Sequence, residues 1–211
     1  TVSELKGRFV DANQDPVYDL LSHFVAESLP ATGGVELGSA VHMLLQHADF
    51  TRSTDIDYLA GLSARLVAQD TLLAEAAGNI DLHLIADYFT RGLGRRLAAA
   101  DCVWREIPFS MMIPLQEVYP DHEGQEQVML QGIIDCLFTH NEQLVMLDFK
   151  TDRSLKLLPA YRKQLKLYLR AVEKLFGRPA DQAYLSFISL KQDILISADE
   201  DNRSEGGPKH P

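Results

Sequence analysis

Between Gln131 and Arg153 the chain reads QGIIDCLFTHNEQLVMLDFKTDR, two apolar runs of strand character joined by a polar turn. Asp135 interrupts the first run, and Asp148 and Lys150 interrupt the second. Alternate residues of a strand share a face, so Asp148 and Lys150 point one way while Val145, Leu147 and Phe149 point the other. A turn centred between Asn141 and Glu142 stands Asp135 opposite Asp148, with β-carbons roughly 4.5 to 5.5 Å apart. Two carboxylates that close repel unless a cation or a shared proton lies between them. A divalent cation resolves the conflict. Hard oxygen ligands without thiolate favour Mg2+ or Mn2+, which keep waters and accept phosphate oxygens as further ligands. Lys150 then stands where an ammonium neutralises a developing oxyanion or orients an attacking water, as phosphodiester hydrolysis requires. Without the hairpin register, the same Asp-x-Lys triplet is simply a solvated strand edge.

The elements around this hairpin set its context. Upstream, SELKGRF, LGSAVHMLLQHADF and DLHLIADYFTRGLGRRLAAAD carry apolar residues at helical spacing, with a loop expected over Pro30 to Leu37. After Asp101 the pattern becomes that of strands in VWREIPF, VMLQGIIDCLF and LVMLDFK. An amphipathic helix follows from Pro159 to Phe176, stopped by Gly177-Arg178-Pro179, and then a strand, AYLSFISL. The expectation is an α/β chain with a β-β-β-α-β core and an N-terminal helical layer. Residues 1–196 would form one domain, with a helical part over 1–100 and the catalytic α/β core over 101–196. Residues 197–211 have no apolar anchor and read as a disordered tail.

Composition narrows the classes. The chain is 46% hydrophobic, yet no apolar run approaches the roughly 18 to 20 residues of a membrane span. The N-terminal residues show no signal-peptide pattern, so a cytoplasmic protein without membrane contact is expected. The two cysteines, Cys102 and Cys136, sit apart in apolar surroundings and read as small core residues. They offer no ligand set for an iron-sulfur cluster. The net charge of −10 argues against nucleic acid until its distribution is considered: nine Lys or Arg lie between residues 150 and 178, against only Asp152 and Glu173.

Other residues join the hairpin as candidates. With Val41, Leu44, Leu45 and Ala48 facing a core, His42 falls at the edge of the apolar face near Gln46, either as packing or as a ligand for a divalent ion. His47 reads as structural. Gln164 and Tyr168, four apart, share a helix face beside the stripe of Leu165, Leu169, Val172 and Phe176. Arg162, Lys163, Lys166, Arg170 and Lys174 occupy the opposite face, which either touches a DNA backbone or is solvated. Glu106 has equal claims to a salt bridge and to a metal role.

Taken together, REIPF, GIIDCLF, LDFKTDR and YRKQLKLY resemble the nuclease domain of the AddA and RecB helicase-nucleases, in the PD-(D/E)XK superfamily with its restriction-endonuclease-like core. SELK, LGSAVHMLLQH and LGRRLAAADCVWREIPFSMMIP extend the resemblance to the AddA type, from about Ser3 to Leu190. It implies a Mg2+-dependent deoxyribonuclease, with Mn2+ as the other cation, in a helicase-nuclease of double-strand break repair and recombination. It further implies that His42, Asp135 and Asp148 hold the metal, with the Phe149 carbonyl as a further ligand and Lys150 as the catalytic lysine. Gln164 and Tyr168 match the Q-x-x-x-Y motif, and Glu106 the acidic residue of the E-x-P-F strand. DNA, as single strands, would be the substrate. The helicase portion of the same polypeptide and a second helicase-nuclease subunit would be partners. The chain carries no helicase motif and looks like a domain of a larger polypeptide. An inactive nuclease-fold module that binds DNA or a partner subunit is the alternative that these residues leave open.

Overall fold

The computed structural model describes residues 34–117 and 124–196. The SELK segment and the 197–211 tail lie outside the described residues. Helix α1 (Gly34–His47) starts inside the expected loop and turns Ala40, Val41, Leu44 and Leu45 inward. It is followed by α2 (Ile56–Ala68), α3 (Ala74–Gly78), α4 (Leu82–Thr90) and α5 (Gly92–Ala98). Asp55 caps α2 by accepting from the Asp57 and Tyr58 amides, and Asp81 caps α4 at the Leu84 amide, which satisfies donors no helix can satisfy internally.

A five-stranded mixed sheet follows: β1 (Cys102–Pro114), β2 (Gln127–His140), β3 (Gln143–Lys150), β4 (Gln182–Phe187) and β5 (Gln192–Leu195), in that spatial order. All neighbours are antiparallel except β3 and β4. That parallel pair is joined by the amphipathic helix α6 (Leu158–Phe176), which ends at Gly177 with a left-handed φ of 68°. The expected last strand is shorter than its apolar run. Ile188–Leu190 form a single 3-10 turn, Lys191 takes a left-handed φ of 56°, and the chain reverses into β5. With two apolar residues in four, β5 carries no readable alternation.

Sheet and helices make three layers. The helical layer α1–α5 packs on Cys136, Phe138, Val145, Leu147 and Phe149. Helix α6 covers the other face, where Tyr161, Leu165, Tyr168, Ala171 and Val172 meet Ile134, Leu137, Leu144, Met146 and Leu185. Cys136 is a buried core residue as expected, whereas Cys102, first residue of β1, is exposed. Among the described residues, no helix is long and apolar enough to cross a membrane.

The β2–β3 hairpin turns at Asn141 and Glu142, both left-handed at φ 51° and 66°, as a type I′ turn requires. The paired register runs from His140↔Gln143 to Cys136↔Leu147 and stops there, one residue short of Asp135 and Asp148. The β1–β2 ladder breaks at the same level: Arg105↔Cys136 and Ile107↔Ile134 are paired, while Glu106 and Asp135 are skipped. Glu106 has a left-handed φ of 49°. Above the break, Val103 and Cys136 pack into the helical layer; below it, Ile107, Phe109 and Ile134 pack under α6. Residues of equal parity thus change faces, because one left-handed residue reverses the alternation of a strand.

Candidate active site

Helix α1 crosses the end of β3 closely. A β-carbon on Gly38 would lie 3.2 Å from Thr151 Oγ1, so a glycine there lets the helix approach and brings His42, one turn on, to Phe149. His42 Nε2 donates to the Phe149 carbonyl at 2.9 Å. A carbonyl can only accept, so the proton is on Nε2, and Nδ1 faces Asp135 Oδ2 at 3.5 Å. Asp135 Oδ2 in turn accepts from the Phe149 amide at 2.8 Å. Both backbone groups of Phe149 are therefore bound by site side chains at the point where the β2–β3 ladder ends.

Glu106 joins this group from β1. His42, Glu106 and Asp135 each offer a ligand atom, all within 4.8 Å of one another, and all three side chains are half-buried. Burial pushes the Asp135 carboxyl above its ordinary range; His42, Lys150 and the Phe149 amide oppose the shift, and Glu106 adds to it. Burial also pushes Glu106 up, against the pull of His42. Two carboxyls that resist ionisation, beside an imidazole nitrogen aimed at one of them, suit a shared divalent cation. The donor set, two carboxylates and one imidazole without thiolate, fits Mg2+ or Mn2+.

The expected facing pair of aspartates is not formed. Asp148 remains on the α6 side, where its Oδ2 meets Lys150 Nζ at 2.9 Å, while the reversal at Glu106 and Asp135 turns Asp135 toward α1. The Phe149 carbonyl, expected as a ligand, accepts from His42. Lys150 also lies over the Tyr161 ring at 4.1 Å, and Tyr161 donates through its hydroxyl to Asp152 at 3.1 Å. Tyr161 was not singled out in the sequence, although its position three residues before Gln164 places it on the same buried face of α6.

Gln164 and Tyr168 are both buried, and Gln164 Nε2 donates to Tyr168 Oη at 3.3 Å. The Tyr168 ring meets Phe109 edge-on at 4.9 Å, and a β-carbon on Gly132 would lie 2.6 Å from its hydroxyl. The pair therefore packs beneath the β1–β2 ribbon. Arg162 and Lys166 are half-buried and Lys163 is exposed, along the outer flank of α6.

The profile of the PD-(D/E)XK nuclease superfamily matches residues 21–205. The chain belongs to this superfamily. Its mixed sheet with flanking helices is the α/β architecture that the sequence motifs implied. Similar proteins are named as the AddA polypeptide of an ATP-dependent helicase/nuclease, in line with the resemblance of the motifs. The Desulforudis audaxviator relative is 43% identical over 158 residues, 72% of this chain and 13% of that protein. The Moorella thermoacetica relative is 35% identical over 211 residues, 94% of this chain and 15% of the relative. The Syntrophomonas wolfei relative is 35% identical over 164 residues, 75% of this chain and 13% of the relative. The chain thus spans only 13% to 15% of the length of these relatives.

Proposed function

We propose that this chain is a metal-dependent deoxyribonuclease domain of exonuclease type, part of a longer ATP-dependent helicase-nuclease acting in double-strand break repair and recombination. The observation that carries the reading is the convergence of His42, Glu106 and Asp135 from three separate elements, with the buried Asp148–Lys150 pair on the neighbouring strand. His42, Glu106 and Asp135 would hold the cation, with Asp148 close by on β3. A bound Mg2+ or Mn2+ supplies Lewis-acid neutralisation of phosphate charge.

The chain's own residues supply the remainder. The Phe149 carbonyl fixes the His42 tautomer, and the Phe149 amide fixes the Asp135 carboxylate. Asp148 and the Tyr161 ring hold the Lys150 ammonium in place, ready to neutralise oxyanion charge or to orient water. Gln164 and Tyr168 act as positioning residues that fix the β1–β2 ribbon against α6. Arg162, Lys163 and Lys166 contact the DNA backbone. Single-stranded DNA, supplied by the helicase portion of the full polypeptide, is the substrate, and a second helicase-nuclease subunit is the partner; the setting is cytoplasmic.

The test is cleavage of an end-labelled single-stranded oligonucleotide with Mg2+, with Mn2+ and with EDTA, by the chain alone and within its full-length polypeptide. Cleavage that requires the cation and disappears in Asp135→Asn is the expected result. Cleavage indifferent to EDTA would overturn the metal assignment, and binding without cleavage in every condition would favour an inactive DNA-binding module.

A further inference from the structure

Arg105 is the residue before Glu106 and, in an ordinary strand, would point to the opposite face. The left-handed φ of Glu106 removes that alternation, so Arg105 and Glu106 both turn toward the helical layer. They line one shallow cleft with His42, Gln46, Phe50 and Asp135. The Arg105 guanidinium carbon lies 4.0 Å over the Phe50 ring, which holds the planar group flat against one wall.

Two features of this arginine point to a ligand rather than to a structural ion pair. Its Nε is buried and has no hydrogen-bond partner. Among the described residues it forms no ion pair, although carboxylates line the same cleft. Charge accounting gives the sign of the ligand. Ionised Glu106 and Asp135 bring two negative charges, which a divalent cation cancels, and Arg105 then leaves one end of the cleft positive. A phosphodiester, with one negative charge and paired oxygens matching the guanidinium fork, complements that end.

We propose that Arg105 is a phosphate-binding residue of this site, receiving a backbone phosphate of the DNA strand beside the phosphodiester to be cut. This rests on the nuclease reading above. Phe50 is its platform, and the backbone reversal at Glu106 places cation ligand and phosphate ligand side by side on consecutive residues.

Binding of a fluorescein-labelled single-stranded oligonucleotide, measured by anisotropy across a salt titration with Ca2+ as the cation, tests the proposal. Arg105→Met should weaken binding and make the slope of log K against log salt shallower by about 0.7, the loss of one phosphate contact on a single strand. Arg105→Lys, which keeps the charge and loses the fork, should retain the slope while binding more weakly than wild type. Melting curves accompany both variants, and Mg2+ titration of each should give the wild-type midpoint. Wild-type affinity and slope in Arg105→Met, with or without a lower melting temperature, would return Arg105 to simple packing on Phe50. Failure of the nuclease reading reads differently: the wild-type chain would not cleave with Mg2+ or Mn2+, whatever the slopes.

Discussion

Replacing Asp148 with alanine removes the carboxylate from a pair whose Lys150 and Asp148 side chains are 4% and 5% exposed and whose Nζ and Oδ2 stand 2.9 Å apart. From the hairpin register alone, the same change should be harmless, since it takes away one of two repelling aspartates. The structure reverses that expectation, because Asp148 offsets the buried charge of Lys150 while Asp135 is bound elsewhere. Breaking a buried pair from one side costs about 3–5 kcal/mol. The Tyr161 ring, 4.1 Å from the ammonium, retains part of the stabilisation and favours the lower end. For a chain of this size each kcal/mol is worth roughly 2–4 °C, so a loss of about 3 kcal/mol lowers Tm by roughly 6–12 °C. Thermal and urea melts in EDTA measure this without any contribution from cation binding. The double replacement Asp148→Leu with Lys150→Met removes both charges and should recover most of the loss. An Asp148→Ala protein that melts within a degree of wild type, or a double variant less stable than the single one, would refute the assignment of these two charges to one buried pair.

Asp135 behaves in the opposite sense. Its carboxyl is raised by burial, so the folded state holds its proton more tightly than the unfolded chain, and stability is lost as pH rises above the ordinary value of 3.8. Asp135→Asn, which can still accept from the Phe149 amide, should therefore melt higher than wild type in EDTA at neutral pH, with the difference vanishing in acid below that value. His42→Ala should raise the Mg2+ concentration needed for cleavage while leaving the metal-free melting temperature little changed, and a large drop in Tm with an unaltered Mg2+ response would make His42 a packing residue. Gly132→Ala should destabilise by about 1–3 kcal/mol in a urea melt, since its β-carbon meets Tyr168 Oη at 2.6 Å and the Phe109 ring at 2.8 Å.

Much of the scaffold was legible in local signals. The Asn141–Glu142 turn and the hairpin register follow from two apolar runs whose polar join is short, and the structure keeps both. The alternation that sends Val145, Leu147 and Phe149 to one core and Leu144 and Met146 to the other is local, and it persists along β3. Helix α6 was readable almost to its ends because its apolar stripe and Gly177 are local signals as well. The short strand β5 was not, since four residues with two apolar side chains define no period.

The sequence by itself determined which chemical groups are available: an imidazole on α1, carboxylates on β1, β2 and β3, an ammonium two residues after the last carboxylate, and motifs that identify the superfamily. Only the tertiary structure decided how they are partnered. A single left-handed residue, Glu106, reverses the alternation of β1, and the skipped partner Asp135 follows it toward α1. Glu106 thereby enters the His42–Asp135 group, and Asp148 is assigned to Lys150 under α6. No periodicity encodes that choice. The left-handed state of a glutamate is disfavoured locally, by about 1–2 kcal/mol, and it is held by the packing of two separate cores on either side of the break.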